Sequence, residues 1–168
     1  MIPARPANPV NPLDVQAAPA PEDADVPVVP ALPPVRPAAD AATALAAMLG
    51  EARRPVFIAG RGARGRSAEL ERLAEACGAL LATSAVAKGL FRGSPWNLDV
   101  SGGFATPLAA ELIGEADVIA GWGCSLNMWT TRHGKLIPPQ ATLVQVDDGP
   151  AAIGMHRAAA QHRLCRDV

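Results

Sequence analysis

Eleven of the 17 prolines fall between Pro3 and Pro37, and this crowding divides the chain. Proline locks φ and removes a backbone donor, so a stretch this rich in it builds neither a helix nor a central strand. Residues 1–37 therefore read as a linker or surface-wrapping arm, partly polyproline-II-like. From Asp40 onward Ala, Leu, Val, Ile and Gly dominate, and only this part can form a core. It offers about 110–125 residues, enough for one small domain with little surplus burial.

Charge and cysteine usage narrow the function classes. Lys and Arg number 15 against 16 Asp and Glu, which leaves no basic excess for a polyanion and argues against nucleic acid. No apolar run approaches the ~20 residues that cross a bilayer. The opening residues Met1-Ile2-Pro3-Ala4-Arg5-Pro6 lack the pattern of a secretory leader. Cys77, Cys124 and Cys165 are odd in number and far apart, which points to reduced thiols in a cytoplasm rather than disulfides or zinc.

Along the core region the apolar periodicity switches repeatedly. Asp40 is a candidate N-cap for a helix over Ala41 to Ala52, with Leu45, Met48 and Leu49 on its inner face. Pro55 to Ala59 is a short apolar run, the mark of a strand covered on both sides. Ser67 is a candidate cap for a second helix through Gly78, striped by Leu70, Leu73, Ala74 and Cys77. Leu80 to Val86 reads as a strand, and residues 88–104 as a long connection. Thr106 to Glu115 is a third helix with Pro107 in its first turn. Asp117 to Trp122 and Thr142 to Asp147 complete the strands. This alternation predicts an open, parallel, doubly wound α/β sheet of Rossmann type. Ligands of such sheets lie beyond the carboxyl ends of the strands. Those ends carry Gly60–Gly65, Ala87-Lys88-Gly89, Gly121–Ser125 and Asp147-Asp148-Gly149.

Gly60, Gly62 and Gly65 fit G-x-G-x-x-G between a strand and a helix. Glycines there let the backbone approach a pyrophosphate at a helix N-terminus. The acid expected about 20 residues on, for a ribose hydroxyl, is missing, because the next strand ends in Thr83-Ser84-Ala85-Val86. Arg61, Arg64 and Arg66 could meet phosphate instead. Two readings stay open: a nucleotide site formed by Gly60, Gly62, Gly65, Thr83, Ser84 and Asp147, or a tight turn and nothing more. The other candidates are bland. His133, His156 and His162 have no ligand spacing, and the sequence predicts no metal site. Cys124 and Ser125 lack a nucleophile elbow, so no catalytic residue is assigned. Trp122 and Trp129 suit a core or an interface as well as a stacked ring. Asp147-Asp148 suits a cap as well as a ribose, and Arg53-Arg54 a solvated helix end.

Several stretches together resemble the central domain of thiamine-diphosphate-dependent enzymes of the acetolactate synthase and pyruvate oxidase group. Residues 53–63 (RRPVFIAGRGA) are similar to its first strand and glycine turn, and Leu70 to Thr83 to the helix and strand that follow. Ser84 to Gly93 resembles its "T-S…K-G-x-F" loop. Ala116 to Ser125 and Ala141 to Asp148 resemble later strands. Pro12-Leu13-Asp14-Val15-Gln16 is similar to the end of the preceding pyrimidine-binding domain. Five matches in the family's order, over about residues 12–156, carry the likeness.

The resemblance implies a six-stranded Rossmann-like middle domain in a 2-keto acid decarboxylating or carboligating enzyme. It also implies thiamine diphosphate and Mg²⁺ in the complete enzyme, and dimers or tetramers. The activating glutamate and the G-D-G…N motif belong to other domains, and no Gly-Asp-Gly occurs here. The isolated chain is therefore expected to be inactive, its partners being pyrimidine- and diphosphate-binding domains or subunits. Some relatives hold FAD or ADP; the usual "G-x-R-F-D-x-R" is replaced by Gly123 to Arg132 without Arg-Phe-Asp, which weighs against FAD. Past His156, residues 157–168 have poor strand character, so the last strand or strands are expected to be absent, leaving an exposed edge. A free-standing FAD-, ADP- or NAD-binding module and a non-functional gene fragment are the alternative readings.

Overall fold

A computed structural model of the chain describes residues 17–19, 36–149, 152–155 and 161–164. The chain parts into two units, Met1–Pro34 and Val35–Val168, and the elements below belong to the second. Pro12 to Gln16, His156 and most of the proline-rich stretch lie outside the described residues.

The elements in chain order are α1 (Ala39–Glu51), β1 (Pro55–Ala59), α2 (Ser67–Cys77), β2 (Leu80–Thr83), β3 (Asn97–Val100), α3 (Pro107–Gly114), β4 (Val118–Trp122), β5 (Thr142–Val146) and β6 (Gln161–Leu164). Short 3₁₀ turns follow β1, β2 and β3, at Arg61–Ala63, Ala85–Ala87 and Gly102–Phe104. All strand pairs are parallel, in the order β3-β2-β1-β4-β5-β6. The predicted doubly wound α/β sheet is the fold observed.

Side chains alternate along each strand, and this assigns the two faces. Phe57 and Ala59 of β1 share one cluster with Leu49 of α1, Leu70 and Ala74 of α2, Leu81, Ala120 and Val144. Val56 and Ile58 share the other with Ile113 of α3, Ile119, Leu143, and Leu126, Leu136 and Ile137 from the segment between β4 and β5. Because β1 is central, all five of its residues are buried. Burial of each large side chain contributes roughly 1.5–3 kcal/mol.

Two expectations about strands are corrected. Residues 88–104 are not merely a connection, since Asn97–Val100 joins the sheet as β3. This strand is short, half-polar and at an edge, with Asp99 at φ 63° and a register shift between Leu81 and Thr83, so period-2 patterning is lost. The expected loss of the final strand is not seen either. Gln161–Leu164 pairs with Leu143–Val146 as a sixth strand. Pairing with a buried neighbour supplies the hydrogen bonds that its own apolar content could not predict.

Helix starts are corrected too. Ala38, not Asp40, precedes α1, and Asp40 sits in the first turn, its carboxylate accepting from the Ala41 N–H at 2.8 Å. Ser67 is the first residue of α2 rather than its cap, and Arg66 in the cap position makes no side-chain cap bond. Thr106, expected inside the third helix, instead caps α3, its hydroxyl accepting from the Ala109 N–H at 3.1 Å. Arg53 and Arg54 lie beyond α1, and their N–H groups donate to the Asp117 carboxylate at 2.7 and 3.0 Å. Partial burial pushes the Asp117 carboxyl up, but those N–H groups and its own and Val118's outweigh this and hold it below the ordinary carboxylate value. The bond ties the start of β1 to the start of β4.

Candidate functional site

Four strand ends converge where the sequence placed them. Beyond β1, β2, β4 and β5 lies a cleft of about 480 Å³, lined among others by Gly60, Arg61, Ser84, Cys124, Asn127 and Asp147. Val86, Phe104 and Trp129 also wall it, and they are exposed to 48, 75 and 67 %. A second cleft of about 370 Å³ is lined by Gly62, Arg66, Leu70, Trp122, Asp147 and Asp148, with Arg36 at its side. Gly60, Ser84 and Asp147 of the candidate nucleotide site thus share the first cleft, and Gly62 lines the second. Thr83 and Gly65 line neither.

The local geometry explains each position. Gly60 N–H donates to the Trp122 carbonyl at 2.8 Å and Gly62 N–H to the Gly123 carbonyl at 3.1 Å, so the turn after β1 lies against the turn after β4. A Cβ on Gly60 would meet the Gly123 oxygen at 2.2 Å, and one on Gly62 would meet Gly123 Cα at 2.9 Å. The absent side chains therefore admit a neighbouring backbone. Gly65 has φ +80° with open space around it, and serves the turn. Thr83 is buried, its hydroxyl donating to the Asp99 carbonyl at 3.2 Å, so it holds β3. Ser84 is only 7 % exposed, and its hydroxyl has no hydrogen-bond partner. Its backbone N–H donates to Ala59 at 2.8 Å.

Charge around the clefts is mixed. Arg64 donates from its guanidinium to the Val86 carbonyl and joins the turns after β1 and β2. Arg66 pairs with Glu69 at 3.4 Å. Glu69 sits in the first turn of α2, where its own backbone N–H, ahead of an opposing desolvation and then Arg66, holds its carboxyl below the ordinary value. The positive end of α2 thus already faces a carboxylate of this chain. Burial pushes the Asp147 carboxyl up, and neighbouring Asp148 adds to this, against the Gly149 N–H that donates to it at 3.0 Å.

The remaining candidates separate cleanly. Cys124 is 2 % exposed, and burial, helped by Asp147, pushes its thiol up to about 11 against an opposing Leu126 N–H, which suits a core thiol rather than a nucleophile. Trp122 packs edge-on against Phe57 with ring centroids 5.2 Å apart. Trp129 instead stands outward beside His133, at 6.4 Å between centroids. The sequence reading passed over Phe104, Asn127 and Thr130 as cleft residues. Asn127 was detectable as Asn-x-x-Thr: its side-chain oxygen accepts from the N–H groups of Trp129 and Thr130, both at 3.0 Å, and from the Thr130 hydroxyl at 3.2 Å. Those bonds set the loop that presents Trp129.

Among the described residues, no three His, Cys, Asp or Glu side chains gather into a metal-binding group. No helix among the described residues is long and apolar enough to cross a membrane.

Sheet order, helices on both faces and clefts at the strand ends define a Rossmann-like α/β domain. A family model, the central domain of thiamine pyrophosphate enzymes, matches residues 42–168, and the chain belongs to that family. It is similar to a probable acetolactate synthase large subunit of Methanocaldococcus jannaschii, 34 % identical over 112 residues, covering 65 % of this chain and 19 % of that protein. It is also similar to the chloroplastic acetolactate synthase 1 of Zea mays, 30 % identical over 122 residues, covering 72 % of this chain and 19 % of that protein. An acetolactate synthase of Mycobacterium bovis is 32 % identical over 117 residues, covering 68 % and 19 %. The chain spans about a fifth of the length of these relatives.

Proposed function

We propose that this chain serves as the central domain of an acetolactate synthase-like enzyme that decarboxylates and joins 2-keto acids, and that it is not catalytic by itself. The observation that carries this reading is the family match over residues 42–168, set beside the 19 % of each relative that the chain covers. Thiamine diphosphate and Mg²⁺ belong, in this reading, to the complete enzyme, held by pyrimidine- and diphosphate-binding domains or subunits. The lack of Gly-Asp-Gly in the 168 residues supports that division. The sheet and its strand-end turns act as scaffold and interdomain surface. Residues 1–37 act as the linker from the preceding domain, residues 38–156 as the central domain and residues 157–168 as its tail. The widely spaced cysteines support a cytoplasmic setting.

The test is turnover of pyruvate by the purified chain with thiamine diphosphate and Mg²⁺ added. No product is expected, and acetolactate formed by the chain alone would overturn the reading. A chimera in which residues 42–168 replace the matching segment of the Methanocaldococcus jannaschii protein is expected to fold, and its failure to do so would also count against it.

The unpartnered, buried Ser84 hydroxyl in a cleft walled by Trp129 and Phe104 supports a second reading, a nucleotide held at Gly60, Ser84 and Asp147. Thermal-shift titration with FAD, ADP and NAD decides it. A ligand that binds only the folded chain must raise its apparent stability, so no shift at saturation removes this reading.

A further inference from the structure

We propose that the second cleft, on the α1 and α2 side of the carboxyl edge, is a binding site for a zwitterionic α-amino acid with a large apolar side chain. The strand order β1-β4-β5 lays three chemistries across this cleft of about 370 Å³ in turn. Arg66, between β1 and α2, is exposed at one end. Trp122, the last residue of β4, stands in the middle. Asp147 and the exposed Asp148 follow β5 at the other end. Arg36, exposed ahead of α1, adds a second guanidinium to the wall. The floor is apolar, because Leu70 belongs to the core cluster on this face, and Trp122 and Val146 pack against that cluster.

A site with opposite charges at its two ends selects a ligand that carries both. An anion alone would meet Asp147 and Asp148, and a cation alone would meet Arg36 and Arg66; like charges brought together oppose binding. A zwitterion sets its carboxylate toward the guanidinium end and its ammonium toward the carboxylate end, with its side chain on the apolar floor. Arg66 is already paired with Glu69 at 3.4 Å, but both side chains are exposed, and such pairs contribute little, so the guanidinium turns to a ligand at small cost. The indole N–H of Trp122 is buried and has no hydrogen-bond partner among the described residues. A buried donor without an acceptor is destabilising, and a carboxylate bound beside Trp122 supplies the acceptor. Burial pushes the Asp147 carboxyl up, an effect that an adjacent ammonium opposes. The nucleotide considered above lies in the other cleft, which Arg66 and Asp148 do not line.

The test is isothermal titration of the purified chain with phenylalanine up to its solubility limit, beside three analogues that each lack one part. Phenylpropionate lacks the ammonium, phenethylamine the carboxylate, and glycine the apolar side chain. Phenylalanine is expected to bind and to raise thermal stability, and each analogue to bind about tenfold more weakly or worse. Arg66→Ala and Asp148→Ala are each expected to weaken phenylalanine about tenfold. Both side chains are exposed, so circular dichroism should be unchanged in either variant. Absence of both binding heat and a thermal shift with phenylalanine overturns the proposal. An analogue that binds as tightly as phenylalanine overturns it too, as does an affinity indifferent to both substitutions. A thermal shift with ADP and none with phenylalanine overturns this site alone and leaves the nucleotide reading standing.

Discussion

Gly60 and Gly123 meet backbone to backbone: a Cβ built on Gly60 would lie 2.2 Å from the Gly123 carbonyl oxygen, which also accepts the Gly62 N–H at 3.1 Å. Real Cβ atoms do not come that close, so the two central strands would have to part. Gly60→Ala is therefore expected to lose about 3 kcal/mol or more, or to prevent folding. Urea denaturation monitored by Trp fluorescence measures it. A loss below about 1 kcal/mol would show that these turns are not in contact.

Gln145 is the one polar residue at the centre of β5, 2 % exposed and fully engaged. Its amide N–H₂ donates to the Cys124 and Ala152 carbonyls, both at 3.0 Å, and its oxygen accepts from the Gly154 N–H at 3.0 Å. Gln145→Leu should cost about 2–4 kcal/mol, because three backbone groups lose partners at once. Gln145→Glu should cost more, and increasingly so as pH rises, since an ionised carboxylate would face two carbonyl oxygens. A pH-independent stability for that variant would contradict the geometry.

Asp117 supplies the acid limb of stability. Its folded carboxyl is held below the ordinary value, so its contribution is present above the unfolded pKa of about 3.9 and is lost as pH falls through the folded value. Asp117→Asn is expected to lower stability by about 1 kcal/mol at pH 7, a modest figure because the group is only partly buried and solvent screens it. The gap between wild type and variant should close toward pH 3. Chemical denaturation at several pH values measures it, and a gap that persisted unchanged in acid would refute the assignment.

Cys124 should be silent to thiol reagents in the native chain. With its thiol pushed up to about 11, the thiolate is roughly one part in a thousand at pH 8, and the side chain is buried. Burial raises the Cys77 thiol too, but that residue is only partly covered. Alkylation followed by peptide mass mapping should label Cys77 well before Cys124. Equal labelling under native conditions would mean that the turn after β4 opens freely.

The elements legible in the sequence are those whose pattern is paid back locally. Leu45, Met48 and Leu49 recur at helical spacing, Val56 to Ala59 form an unbroken apolar run, and Pro107 marks the first turn of a helix. β3 and β6 had no such pattern, because an edge strand draws its hydrogen bonds from the neighbour it joins. The site divides in the same way. The strand ends were readable from element order, whereas Thr83 proved to hold β3 by a bond to the Asp99 carbonyl that no local pattern announces.

The sequence by itself determined the alternation of strands and helices, and with it the parallel sheet and the edge at which its turns collect. Hydrophobic period and backbone chemistry act over a few residues, so they can be read one segment at a time. Only the tertiary structure decided what Gly60 and Gly62 lie against. Glycine spacing alone names no neighbour, and the β1–β4 pairing brings the Gly123 backbone alongside both.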